Sequence, residues 1–167
     1  MSQREGGRSA ARGRADRLIR ITLDDDLRRS ESVDIRHERD VAIYDLLEDN
    51  RFEVPGIAGP YELRLAIRDK RLMFGIAGAG GGGETTIMLS LGPFRRIVRD
   101  YFMVCESYYR AIRSEPPSRI EAIDMGRRAL HDDGSRALQE RLAGKAEIDF
   151  ATARRLFTLI SALHWKG

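Results

Sequence analysis

The segment MFGIAGAGGGGETTIML, residues 73–89, is where this chain comes nearest to a recognised chemical motif. Residues 78–83 spell G-x-G-x-x-G. Residues 78–85 also follow the phosphate-loop pattern in every place but one. A dinucleotide fingerprint works because its glycines lie between a strand and a helix, whose N-terminus supplies N–H groups and dipole to the phosphates. Here the glycines follow a strand-like run but precede TTIMLSL, which is β-branched, alternating and too short for a helix. The phosphate-loop lysine is replaced by Glu84, an anion that would repel phosphate. The stretch from Gly78 to Gly83 therefore reads as a hairpin connection, with no nucleotide expected there.

Other residues invite chemistry. His37 and Glu38 open the HERD segment, but the second histidine of a zinc-protease helix is missing. Near a helix start such residues usually serve the first turn or the solvent. Cys105 lies on an apolar helical stripe, where a thiol packs as a small hydrophobe. His131, Arg127 and Asp124 share one helical face, and Asp124 with Arg128 makes a favourable i,i+4 pair, so a solvated ion-paired face is expected. Gly126 in that helix calls for close approach by another helix. Arg95, Arg96 and Arg99 crowd the first turns of a helix, where positive charge is unfavourable unless an anion is bound. They are the anion-binding candidates. The histidines at 37, 131 and 164 share no metal-ligand spacing, and with one cysteine no structural zinc site or other cofactor is expected.

The elements that must position these residues are legible in part. The chain has 167 residues, one third of them charged, and no apolar run of membrane-spanning length. One cysteine, with no signal-peptide pattern at the N-terminus, points to the cytoplasm. Residues 1–17 carry five arginines against Glu5 and Asp16, a net +3, which equals the charge of the whole chain. The remaining 150 residues are neutral, so nucleic acid is expected to bind only non-specifically, at low salt, through the tail. Residues 1–16 are poor in apolar side chains and read as a disordered tail. Residues 17–167 read as a single globular domain.

In that domain LIRITLD suggests a strand with Ile19, Ile21 and Leu23 on one face. VDIRHERDVAIYDLLEDN suggests a helix, capped by Ser32 or Asp34, ended by Asn50, and buried along Ile35, Ala42, Ile43, Leu46 and Leu47. YELRLAIR, RLMFGI and TIMLSL alternate as three strands, the first two joined at Asp69 and Lys70. The opposite sheet face carries Glu62, Arg64, Arg68, Arg71 and Thr86 with Met73 and Met88.

The rest is helical. A strong stripe runs from Phe94 through Ile97, Val98, Tyr101, Phe102, Cys105, Tyr108, Tyr109 and Ile112. A second helix starts at a Ser118/Glu121 capping box and breaks at HDDGS, and a short helix then reaches Gly144. A possible strand, AEID, precedes a last helix capped by Asp149. The expected fold is α+β: a small antiparallel β-meander sheet with one face covered by four to five α-helices.

HERDVAIYDLLEDNRF, LGPFRRIVRDYFMVCESYYRAI, IEAIDMGRRALH and DFATARRLFTLISALHW, in that order, resemble the uncharacterised alphaproteobacterial protein family numbered 0262. The resemblance spans about residues 17–166 and implies a bacterial cytoplasmic protein, without supplying an activity, cofactor or catalytic residue. The arginine-rich tail and the glycine run depart from its pattern. So does Gly92, where the family pattern has a serine able to cap the following helix.

The function these features suggest is a non-enzymatic binding or adaptor protein. The alternative is a small hydrolase or transferase acting on a phosphorylated substrate, with His37 and Glu38 meeting Arg95 and Arg96 across a cleft. Tyr108, Tyr109 and Trp165 exceed what a narrow stripe buries, which suggests a homodimer.

Overall fold

The structure, a computed structural model, describes residues 14–27 and 33–163. Ser32, the side chains of Asp34 and Ile35, His164, Trp165 and most of the arginine-rich tail lie outside the described residues. The chain is already tied to the fold at Asp16, whose carbonyl accepts from Phe52 N at 2.9 Å and whose carboxylate pairs with Arg51 at 3.3 Å.

A four-stranded sheet is ordered β1-β3-β4-β5, with β1 at Leu18–Leu23, β3 at Tyr61–Arg68, β4 at Arg71–Gly78 and β5 at Glu84–Ser90. The expected meander is β3-β4-β5. Leu63, Leu65, Leu72, Phe74, Ile76, Ile87 and Leu89 turn inward, as their alternation requires. Asp69 and Lys70, at φ 49° and 60°, make a tight turn between β3 and β4. β1 runs parallel to β3, so the sheet is mixed. A register irregularity between Leu18 and Arg20 alters which side chains of β1 turn inward. Leu18 is buried and Ile19 is 37% exposed, so Ile19 does not take the inward place expected for it.

The helices are α1 (Val33–Glu48), α2 (Gly92–Ser114), α3 (Pro117–Leu142) and α4 (Phe150–Ala162). α1 packs on α4, α4 on α3 and α3 on α2. Their buried residues, among them Leu46, Phe94, Leu138, Leu156 and Phe157, join the inward sheet residues in one core. Fully burying a side chain of this size stabilises by about 1.5–3 kcal/mol. Asn50 ends α1 by donating to Leu46 O at 2.9 Å. It also accepts from Leu18 N at 2.7 Å, which locks the helix end to β1.

Three helix expectations are corrected. HDDGS does not break a helix: α3 is continuous through it. A Cβ at Gly134 would stand 2.3 Å from the Phe157 ring, so this glycine admits α4 rather than ending α3. Gly126, by contrast, meets nothing within 4 Å, so no helix approaches it. The capping box is not formed either. α3 starts at Pro117, with Pro116 in the cap position and no side-chain cap, which leaves Ser118 inside the first turn.

A two-stranded sheet pairs β2 (Phe52–Glu53) with β6 (Glu147–Ile148), the latter within the expected AEID strand. Asp149 caps α4, accepting from Thr152 N at 2.9 Å. The glycine run joins β4 to β5. Gly78 N donates to Gly83 O at 2.9 Å, and Gly81 and Gly83 take positive φ, so a strand rather than a helix follows the glycines.

Candidate functional site

Among the described residues, two hollows have charged linings. The larger, about 690 Å³, lies on the outer sheet face, floored by Gly75 and Ala77 and walled by residues of mixed charge including Arg20, Arg64, Glu62 and Glu84. Beside that wall Asp24 is gripped by Arg64 at 2.6 Å and Arg68 at 2.7 Å, so these guanidinium groups are committed to an internal pair.

The second hollow, about 580 Å³, is chemically one-sided. Arg127, Arg128 and His131 line it from α3; Ala151, Arg154, Arg155 and Thr158 from α4; and Tyr101 from α2. The helical period aligns them, since Arg127 and His131, like Arg154 and Thr158, are separated by one turn. Docking α4 against α3 brings the two sets together.

His131 is buried among rings, with centroids 5.5 Å from Tyr101 and 5.2 Å from Phe157. The solvated face expected for His131 is therefore wrong. The small neighbours Gly134 and Ser135 let α4 close over it, while Asp124, Arg127 and Arg128 keep the expected surface pairing. His131 Nε2 lies 2.8 Å from Thr158 Oγ1. The Thr158 hydroxyl is within 3.0 Å of Arg154 O, to which it donates, and so accepts from the ring. Burial first, then the charges of Arg154 and Arg127, lowers the His131 pKa below its ordinary 6.5, with Asp132 opposing. That direction favours the neutral ring.

The arginines differ in how firmly they are held. Arg127 donates twice to Asp124, at 3.0 and 2.7 Å, and Arg128 reaches the same carboxylate at 2.9 Å. The hydrogen bond from Arg127 is the chief cause of the lowered Asp124 pKa. Arg154 has a looser partner, Asp132 at 3.4 Å, while Arg155 donates to Asp49 O at 3.1 Å and lies 3.9 Å from that residue's carboxylate. Four guanidinium groups against three carboxylates leave a net positive charge with donors to spare. Tyr101, pushed up to about 12 chiefly by burial, supplies a neutral hydroxyl and an aromatic wall. Neighbouring Cys105 is half-buried with its pKa raised by that burial, which fits its expected packing role.

The residues singled out in the sequence lie elsewhere. Arg95 is half-buried, its Nε enclosed without a hydrogen-bond partner, and Arg96 and Arg99 are exposed. No side-chain cap assists them, since Leu91 holds the cap position and Gly92 begins the helix. His37 and Glu38 are exposed on α1. Among the described residues, no hydrogen bond or ion pair joins either of them to Arg95, Arg96 or Arg99, and none of the five lines either hollow above. Among the described residues there is also no cluster of His, Cys, Asp and Glu able to hold a metal, and no helix long and apolar enough to cross a membrane. The sequence signal for the basic hollow is two Arg-Arg doublets, 127–128 and 154–155, each indistinguishable alone from a solvated helix face.

The molecule is thus an α+β protein with a mixed sheet under a helical layer and an arginine-lined hollow among three of the helices. Residues 15–166 match an uncharacterised protein family, UPF0262, and the chain belongs to it. It is 60% identical over 152 residues to the UPF0262 protein RL0614 of Rhizobium johnstonii, covering 90% of this chain and 96% of that one. It is 59% identical over 152 residues to the UPF0262 protein of Nitrobacter winogradskyi, covering 90% and 91%. It is 57% identical over 156 residues to the UPF0262 protein BRADO6636 of a Bradyrhizobium species, covering 92% and 93%. No solved structure matches the chain.

Proposed function

We propose that this protein is a non-enzymatic binding protein of the bacterial cytoplasm whose ligand carries a compact anionic group, phosphate or carboxylate, held in the hollow of α2, α3 and α4. The observation that supports this reading is the convergence of Arg127, Arg128, Arg154 and Arg155, from two helices, around one concave surface with a Thr158 hydroxyl. Guanidinium forks match the oxygens of such anions and hold them by charge-assisted hydrogen bonds. A second reading places the anion at Arg95, Arg96 and Arg99, favoured by the enclosed Arg95 Nε that lacks a partner.

Calorimetric titration with pyrophosphate at low salt tests both. The double variant Arg128→Gln/Arg154→Gln alters two side chains more than half exposed, and is expected to weaken binding by about tenfold or more, on the order of 1.4 kcal/mol. Loss of binding in Arg96→Gln/Arg99→Gln instead would move the site to the head of α2. Turnover of an aryl phosphate that disappears in His37→Gln would overturn the non-enzymatic reading in favour of a hydrolase.

A further inference from the structure

We propose that anion binding in this hollow is coupled to protonation of His131: the imidazole takes up a proton more readily when the anion is bound, and the anion binds more tightly to the imidazolium than to the neutral ring. The inference rests on the proposed function, because it concerns the same hollow.

The geometry already accommodates the charged ring. Ser135 Oγ donates to His131 O at 2.7 Å, and Thr158 Oγ1 donates to Arg154 O at 3.0 Å. Each hydroxyl sends its proton to the carbonyl one turn back, so its lone pairs are free. One lies 2.8 Å from Nε2 and the other 3.4 Å from Nδ1. An imidazolium would thus keep the Thr158 acceptor for Nε2–H and have the Ser135 hydroxyl at 3.4 Å, a long contact that a small shift would close, for Nδ1–H.

What disfavours the proton is burial first; of the charges around the ring, Arg154 on α4 and then Arg127 on α3 oppose it, and Asp132 on α3 favours it. On α2, Tyr101 and Cys105 have raised pKa values and stay neutral between pH 5 and 8, so they add no charge. Arg128 and Arg155 complete the wall, facing Asp124 and Asp49. An anion between the arginines cancels the opposing charges and adds its own attraction a few ångström from the ring. The proton then binds more tightly, and by linkage the anion binds more tightly as the pH falls.

Sulfate is the suitable probe, because its own charge is constant across this range. The His131 ring resonance, assigned by its loss in His131→Gln, is followed by NMR against pH in the full-length protein with and without saturating sulfate. The midpoint is expected to rise by about one unit, with sulfate affinity rising towards a limit of about tenfold as the pH falls from about 8 through the midpoint of the free protein. His131→Gln is expected to bind sulfate without that dependence, whereas His37→Gln retains it. If His131→Gln does not fold, the wild-type titration of the one ring resonance that responds to sulfate decides alone. Sulfate binding that leaves every ring midpoint unchanged overturns the coupling and spares the site. No sulfate binding at any pH overturns both.

Discussion

Gly126 and Gly134 lie two turns apart on α3, and the same substitution is expected to act on them with opposite sign. At Gly126 a Cβ meets nothing within 4 Å, so Gly126→Ala removes only the helical penalty of glycine. That penalty is about 1 kcal/mol, or about 2–4 °C of melting temperature for a chain of this size. At Gly134 the new Cβ would stand 2.3 Å from two carbons of the Phe157 ring, which is itself 0% exposed and cannot retreat into solvent. Overpacking costs about 1–3 kcal/mol, and the closeness of this contact points to the upper end. Subtracting the helical gain leaves about 2 kcal/mol of destabilisation, a fall of about 4–8 °C. Thermal melts of the two variants by circular dichroism at 222 nm give the comparison directly. A Gly134→Ala variant at least as stable as wild type would refute the reasoning. Phe157 would then have room that the structure denies it, and the wall of the basic hollow would be looser than described.

The hydrogen bond from Arg64, followed by the charges of Arg68 and Arg64, holds the Asp24 carboxyl below its ordinary 3.8, against the opposing effect of burial. A lowered folded pKa stabilises above the unfolded value, so the stability gap between wild type and Asp24→Asn should be full at pH 7. Urea melts should show it closing as the pH falls below 3.8 through the folded value. Affinity for short duplex DNA should reside in residues 1–17 and fall with salt at a log–log slope of at most about −4 to −5, and a truncated body that binds as tightly would refute this. Tyr109, 62% exposed beside half-buried Tyr108, should support a homodimer, which a strictly monomeric mass by light scattering at high concentration would exclude. ATP and NAD should gain nothing from the glycine run, which joins two strands and offers no helix N-terminus to phosphate, so any rise in melting temperature they cause should be lost in Arg128→Gln/Arg154→Gln.

The parts of this fold that the sequence discloses are those whose cause is local. The meander is legible because each strand has a buried and an open face, and alternation records that directly. Asp149 is legible as a cap because it needs only its own helix. Phe52 and the β2–β6 pair go unseen until residues nearly a hundred positions apart are brought together. The basic hollow is hidden for the same reason, since its arginines are ordinary surface residues until α4 docks on α3. Yet one trace of that docking is present in the sequence. His131, Gly134, Ser135, Leu138 and Leu142 recur at three- and four-residue steps, and all five are buried. A glycine beside a serine resembles a break when composition alone is weighed. Set on the same stripe as two leucines and a histidine, the pair marks where another element comes close, as the Phe157 ring does. The small residues that admit Phe157 also let Thr158, the next residue, reach His131. The packing of this stripe and the chemistry of the hollow therefore have one cause.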